Sequence, residues 1–341
     1  MITKNIGIHS KPSSAIRIFE RIIEPILTYN CEIALAYLPK TWDFNKFKEK
    51  IWEQGKEISK VVTSFLRQIL GVHKKTTNSA ILAETGKYPI IITVYTYIFK
   101  YWLQLEKSEN KLLKEAHKIN IENHQNGKTS WIKIIDFLLK FTDTNVPQDK
   151  TEKVITLNFR KRMKTLFEKW WEAQAIITGQ NKLDFYYRYK RTYRYEEYLD
   201  NIHRNIRMPI TRLRLSCHCL PIETLRYKNI ERNERKCQIC KLDEKGDEEH
   251  YLKTCTNNNI THCRTHFVKT IKNIPQFIEF SDNNIIEYAM NMKDQLIQKP
   301  TAIYIQKLFK AYKEESNVPP LHILCKKSLK KNNLATLTSL V

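Results

Sequence analysis

Glycine is scarce in this chain, with 7 occurrences among 341 residues. Glycine most easily adopts the positive φ angles of tight hairpin turns, and it lets a backbone approach phosphate groups closely. So few glycines do not suit a protein of many short strands, and no Walker-type phosphate loop occurs. The shortage therefore argues against a hairpin-rich sheet and against a glycine-rich nucleotide site.

Long apolar runs are also missing. The sequence has no stretch of about 18 apolar residues, the length that a helix needs to cross a bilayer. Residues 1–4 lead into no apolar core of the signal-peptide type. We therefore expect no membrane partner and an intracellular protein, either nuclear or cytoplasmic.

The residue patterns of several catalytic sites are absent as well. No Asp-Asp pair occurs, although a polymerase palm needs paired aspartates to hold two Mg²⁺ ions. Neither a Gly-x-Ser-x-Gly nor a His-Glu-x-x-His motif is found. The sequence therefore predicts no catalytic residues and no enzyme activity.

Positive charge, in contrast, is in excess. The chain has 58 Lys and Arg against 36 Asp and Glu, which gives a net charge of +22. Such an excess indicates a polyanionic partner, either a nucleic acid or an anionic membrane surface. Because no membrane segment is expected, we favour RNA or DNA as the partner.

The cysteines are unevenly distributed along the chain. Eight occur in total, and Cys217, Cys219, Cys237, Cys240 and Cys255 fall within one short region. This clustering fits a metal site in a reducing compartment better than a disulfide framework.

Four residues of this region have the spacing of a zinc site. Cys237 and Cys240 are separated by two residues, and His250 and Cys255 follow on what is predicted to be a short helix that starts near Gly246. A tight Cys-x-x-Cys turn directs two thiolates to one cation, and a Cys₃His set closes a tetrahedral Zn²⁺ site. Because a closed site leaves no position for a substrate, we expect one structural zinc ion.

Two alternatives stay open for this region. The cysteines could be ordinary buried residues, because cysteine is often buried and inert. Other residues could also replace one of the four ligands, and they lie near them in the sequence: Cys217, His218, Cys219, His262, Cys263 and His266.

Apolar residues at helical spacing predict an all-α fold. Multi-helix bundle units are expected together with a small irregular zinc-binding module, because strand-like alternation persists nowhere for more than a few residues. Pro25 interrupts the first helical pattern. Helices are predicted near residues 13–38, 44–70, 77–86, from 89 onward, 110–121, 129–141 and 153–178, with two or three more between 267 and 312. The basic and polar tail, residues 326–341, is predicted to be frayed.

Residues 182–214 interleave aromatic rings with basic side chains. Aromatic faces can stack on unpaired bases, and Lys and Arg can bind phosphates. We favour a core role for most of the tyrosines and contact with a polyanion for the cations. The candidate nucleic-acid-binding residues are Arg188, Lys190, Arg191, Arg194, Arg204, Arg207, Arg212, Arg214, Tyr187 and Tyr193.

Several segments together resemble the C-terminal part of reverse-transcriptase proteins from non-LTR (LINE-type) retrotransposons. Residues 19–33 resemble the family's segment with a Pro-Ile-Leu-x-Tyr core, and residues 235–255 resemble its Arg-x-Cys-x-x-Cys and His-x₄-Cys pattern. Further similar segments are 65–72, 83–89, 100–105, 211–218 and 222–227.

This resemblance implies a thumb-like and C-terminal nucleic-acid-binding region without the polymerase palm or the endonuclease. It carries the zinc-ligand role onto Cys237, Cys240, His250 and Cys255. It also suggests five segments: a thumb-like one (1–76), a helical linker bundle (77–145), a basic aromatic region (151–230), the zinc-knuckle-like module (231–270) and C-terminal helices with a basic tail (271–341). The alternatives are a helical scaffold for protein partners and a degraded fragment without a selected function.

Overall fold

The all-α prediction is confirmed by the computed structural model of the chain. The structure describes residues 11–33, 43–128, 130–147, 149–176 and 182–316, and the predicted frayed tail lies outside them. Within these ranges, paired strand residues are limited to two isolated bridges. The α-helices are, in chain order, α1 (Pro12–Ile18), α2 (Glu24–Leu27), α3 (Phe44–Lys50), α4 (Lys56–Leu70), α5 (Asn78–Glu84), α6 (Ile90–Glu106), α7 (Lys111–Gln125), α8 (Ile132–Thr142), α9 (Glu152–Ile176), α10 (Asp184–Tyr189), α11 (Tyr198–Asn201), α12 (Arg204–Arg214), α13 (Pro221–Thr224), α14 (Asn258–Lys272), α15 (Asp282–Met290) and α16 (Gln295–Ser316).

The chain divides into two compact units. The first comprises Met1–Ala15, Leu66–Gly86 and Ile177–Val341, and the second comprises Ile16–Phe65 and Lys87–Ile176. The first unit is therefore discontinuous in sequence.

The second unit is a bundle centred on α6. Phe99 of α6 stacks on Phe159 of α9 with ring centroids 4.2 Å apart, and both rings are fully buried. Burying a phenylalanine side chain contributes about 1.5–3 kcal/mol relative to leaving it exposed. The buried face of α9 includes Met163, Phe167 and Trp171.

The single helix predicted near residues 44–70 is wrong in one respect, because this stretch forms two α-helices, α3 and α4, with an interruption between them. Gly55 has a φ angle of +61°, which a right-handed helix cannot contain. Trp52 lies in a short 3₁₀ helix, Ile51–Glu53, and packs edge-on against Phe141 and Phe167. The aromatic contacts and the glycine together explain the break.

In the first unit, α12 and α14 pack along α16. Phe267 of α14 stacks on Tyr304 of α16 with centroids 4.5 Å apart. The Tyr304 hydroxyl donates to the backbone carbonyl of Leu252 at 3.1 Å, and Tyr251 packs edge-on against Tyr312. The chain segment with the predicted zinc ligands is thus anchored on α16.

A buried network of charges lies in the same unit. Arg214 donates through Nε and Nη2 to the two carboxylate oxygens of Glu84, at 2.8 and 3.3 Å. The Tyr198 hydroxyl donates to Glu84 at 2.7 Å. Lys190 pairs with Glu196, which also lies 3.5 Å from Arg214. Two carboxylates and two cationic side chains therefore neutralise each other's charge in the protein interior.

No helix among the described residues is long and apolar enough to cross a membrane.

Candidate functional site

Cys237 and Cys240 lie in a narrow hairpin. The Cys237 backbone N–H donates to the carbonyl of Glu244, and the Gly246 N–H donates to the carbonyl of Arg235, both at 2.8 Å. These bonds flank an antiparallel bridge between residues 236 and 245. The hairpin fixes the turn that contains both cysteines.

Gly246 allows this hairpin to lie against α13. A Cβ atom at this position would come within 2.8 Å of the Pro221 side chain and 3.0 Å of the Lys236 carbonyl. The Gly246 carbonyl accepts a hydrogen bond from the Ile222 N–H at 3.1 Å. A side chain at position 246 would therefore push the hairpin away from α13.

His250 and Cys255 lie on the helical turn that follows. The turn spans His250–Thr254 in a π-helical conformation, and the Cys255 N–H donates to the His250 carbonyl at 2.8 Å. Asp247 caps the start of the turn by accepting from the His250 N–H at 3.0 Å. The short helix predicted to start near Gly246 is therefore present, and its turn is wider than that of an α-helix.

The structure brings the four predicted ligands together. One ligand atom from each of Cys237, Cys240, His250 and Cys255 lies within 4.8 Å of all the others. Ligands placed tetrahedrally about 2.0–2.3 Å from a metal ion are separated by roughly 3.3–3.8 Å. The 3.4 Å between Cys240 Sγ and His250 Nε2 falls in that range. This group could therefore bind one metal ion.

Glu244 orients the imidazole of His250. The Nδ1–H group of His250 donates to the Glu244 carboxylate at 2.7 Å, and Thr254 donates to the same oxygen at 2.9 Å. This arrangement leaves the Nε2 lone pair directed toward Cys240. A carboxylate on the far nitrogen of a histidine ligand fixes its tautomer and makes it a stronger ligand.

The environment favours a thiolate at Cys237. A hydrogen bond from Cys255, together with others from His250 and Tyr251, lowers the pKa of Cys237 to about 3. The Tyr251 hydroxyl lies 3.1 Å from Cys237 Sγ. Thiolates are the form in which cysteine binds metals.

The other candidate ligands do not join this group. His218 Nε2 pairs with the buried carboxylate of Glu248 at 2.8 Å, while its Nδ1 accepts from the Leu220 N–H. Within the described residues, no further cluster of three or more metal-binding side chains is found. The six candidate ligands that lie outside the group of four are Cys217, His218, Cys219, His262, Cys263 and His266.

Replacing Glu244 with alanine is expected to weaken metal binding at this group about 10- to 100-fold, because His250 loses the partner that orients it. Competition with a chromogenic chelator at fixed pH measures this affinity. Asp243→Asn is the matched control, because Asp243 is the neighbouring exposed acid and asparagine tolerates its φ angle of +49°. Equal metal affinity in the Glu244→Ala and Asp243→Asn proteins would show that Glu244 has no such role.

Four of the predicted nucleic-acid-binding residues are buried. Arg214 and Lys190 belong to the charge network described above. Arg207 is fully buried and donates to the carbonyls of residues 199 and 202 at the end of α11. Tyr187 is 4% exposed, as expected for a core tyrosine. Side chains in these positions are not available to a nucleic acid.

The remaining candidates lie at or near the surface. Arg188 pairs with Glu249, whereas Arg191 and Arg194 are exposed and form no ion pair within the described residues. Arg204 and Arg212 donate to the last carbonyls of α4 and to the carbonyl of Gly71. Cations at this end of a helix stabilise it through the helix dipole. Tyr193 is half-buried.

Comparison of the chain with models of protein families, with curated proteins and with solved structures found no match. The resemblance to retrotransposon reverse transcriptases therefore remains a prediction from the sequence motifs.

Proposed function

We propose that the Cys₃His group holds one structural Zn²⁺ ion. Three sulfur ligands and one imidazole are the donor set that zinc prefers, and four protein ligands leave no open position for a substrate. The zinc would join the hairpin of Cys237 and Cys240 to the turn of His250 and Cys255. Its role is to hold a small irregular segment rigid on α16.

We further propose that the chain is an intracellular, non-catalytic nucleic-acid-binding protein derived from a LINE-type reverse transcriptase. The observation that carries this proposal is the net charge of +22. Phosphate groups are the most common biological counterpart of such a surplus. The exposed arginines Arg191 and Arg194 lie in the basic aromatic segment and have no acidic partner within the described residues.

Replacing both Arg191 and Arg194 with alanine is expected to weaken binding to all nucleic acid sequences alike. Affinity falls linearly when log K is plotted against log salt concentration. Each lost phosphate contact makes the slope of this plot shallower by about 0.7 for a single strand and by about 0.9 for a duplex. Fluorescence anisotropy with a 20-nucleotide oligouridylate and a 20-base-pair DNA duplex, between 50 and 300 mM salt, measures both the affinity and the slope.

The double variant Lys269→Ala and Lys293→Ala is the charge-matched control, because both lysines are exposed and lie outside the basic aromatic segment. The contribution of Arg191 and Arg194 is disproved if the two double variants bind alike. If the unaltered protein binds neither probe at 50 mM salt, the nucleic-acid-binding function itself is wrong.

A second candidate function is a scaffold for protein partners, and one surface favours it. Ile18, Ile22, Ile26 and Tyr29 follow one another at three- or four-residue intervals and are 44–85% exposed. Such spacing puts them on one face of a helical segment. Binding through this face would depend little on salt, whereas binding through phosphates falls steeply as salt rises.

A further inference from the structure

A cluster of positive charge surrounds the loop between α4 and α5. We define the His73 cluster as His73, Lys74, Lys75, Lys182, Arg212 and Arg226. The chain contributes these residues from three separate stretches, around positions 74, 182 and 212–226. Sequence patterns therefore do not reveal the cluster, although Lys182 and Arg212 lie in the basic aromatic segment.

A tight turn presents the two lysines of the loop. The Thr76 N–H donates to the His73 carbonyl at 2.9 Å, which closes a turn with Lys74 and Lys75 at its centre. The Lys75 N–H donates to Nδ1 of His73 at 3.2 Å, so the opposite ring nitrogen, Nε2, carries the proton when the ring is neutral. Both lysines are exposed.

Tyr227 and Glu223 join the loop to the other cations. The Lys75 ammonium and the Arg226 guanidinium each lie 5.1 Å from the centroid of the Tyr227 ring. Arg226 and Lys182 share one carboxylate oxygen of Glu223, at 3.1 and 3.8 Å. These shared partners place the three cations beside one another.

Arg212 completes the cluster. Its Nε donates to the carbonyl of Gly71 at 2.9 Å, two residues before His73. Burial lowers the pKa of His73, and the charges of Lys74, Lys75, Lys182 and Arg212 lower it further. All four cations therefore act on the same imidazole.

This positive charge is poorly neutralised by the protein. Glu223 is the acid that pairs with Lys182 and Arg226, and it is buried. Within the described residues, Lys74, Lys75 and Arg212 form no ion pair. Grouping like charges in this way is unfavourable unless an anion binds between them.

We propose that the His73 cluster binds the phosphodiester backbone of a nucleic acid. This inference rests on the nucleic-acid-binding function proposed above and names the surface that contacts the phosphates. Lys74 and Lys75 supply point charges, and the guanidinium of Arg226 can donate a hydrogen bond to a phosphate oxygen. Tyr227, held between two cations, limits the movement of their side chains.

The decisive variant replaces Lys74 and Lys75 with alanine. Both side chains are exposed on a turn, so the fold is expected to tolerate the change. Affinity for the oligouridylate and for the DNA duplex should fall roughly tenfold or more at 0.1 M salt, with a salt slope lower by about 1.4 for the single strand. The Lys269→Ala and Lys293→Ala protein, which has the same charge, should lose much less affinity.

A second measurement uses the unaltered protein and does not depend on the folding of a variant. Lysine acetylation by N-hydroxysuccinimide acetate, read by mass spectrometry, should be suppressed at Lys74 and Lys75 by saturating oligouridylate but unchanged at Lys269. Equal labelling of Lys74 and Lys75 with and without the RNA, while anisotropy shows binding, would overturn this site and leave the proposed function standing. Absence of binding by the unaltered protein would reject both.

Discussion

Replacing Cys255 with serine is expected to abolish stoichiometric zinc binding and to destabilise the first unit. Cys255 is fully buried and supplies one of the four clustered ligand atoms. A ligand that binds only the folded state stabilises it by about 4 kcal/mol when present at 1,000 times its Kd. Loss of that contribution should lower the thermal midpoint by about 10 °C. Elemental analysis and thermal scans with and without added zinc measure the two effects.

Cys263→Ser is the matched control for this change. Cys263 lies on α14, is partly exposed, and is not one of the four clustered residues. The control protein should retain about one zinc per chain and lose its extra stability when a chelator is added. If the Cys255→Ser protein keeps a full equivalent of zinc, or if the parent protein contains no metal under reducing conditions, the proposed centre is incorrect.

Replacing Glu84 with glutamine is expected to reduce the free energy of unfolding of the first unit by about 3–5 kcal/mol, because it leaves Glu196 as the one carboxylate, among the described residues, that neutralises the buried cations Arg214 and Lys190. Chemical denaturation followed by circular dichroism measures the loss. Glu197→Gln is the control, since Glu197 is exposed and close to the network in sequence. Removing both charges, as in Glu84→Gln with Arg214→Met, should recover part of the loss, since buried pairs are often replaceable by apolar groups.

The contribution of Glu84 to the free energy of unfolding should also depend on pH. Burial alone would raise the pKa of Glu84, but the charges of Arg214 and Lys190 lower it below its ordinary value. Stability from a carboxylate of depressed pKa is present above the ordinary carboxyl pKa and is lost as the pH falls through the lower, folded-state pKa. The difference in stability between the parent and the Glu84→Gln protein should therefore be full at pH 7 and shrink in acid. A difference that stays constant down to pH 2 would show that the charge of Glu84 does not stabilise the fold.

Much of the helical architecture could be predicted because its signals are local. Asn110 caps α7 by accepting from the N–H groups of Leu112 and Leu113, and α6 begins immediately after Pro89, as its sequence indicates. The helix predicted near residues 153–178 likewise corresponds to α9. The break at Gly55 was missed because Ile51 and Ile58, on either side of it, keep the seven-residue spacing of one helical face. The contacts of Trp52 that stabilise the break are distant in sequence.

The four candidate metal ligands could be predicted for the same reason, since they lie within 19 consecutive residues. Glu244 was not identified as a partner of His250, because one acid in an acidic stretch carries no distinguishing signal. The charge of Arg207 and Arg214 suggested surface contacts, whereas both side chains are buried. Their partners are backbone carbonyls and Glu84, and the latter lies 130 residues away in the sequence. Composition shows that a cation is present but not what neutralises it.

The discontinuous first unit has a consequence for the order of events during protein synthesis. The ribosome adds roughly 5–20 residues per second. Arg214 lies 130 residues downstream of Glu84 and is therefore synthesised about 7–26 s after it. During this interval the whole of Lys87–Ile176 is translated, and this stretch can pack with Ile16–Phe65 while α5 has no tertiary partner from the later part of the chain. The second unit therefore has the opportunity to fold first. Translational pauses between residues 177 and 214 would prolong the exposure of the nascent Glu84 segment to chaperones and proteases.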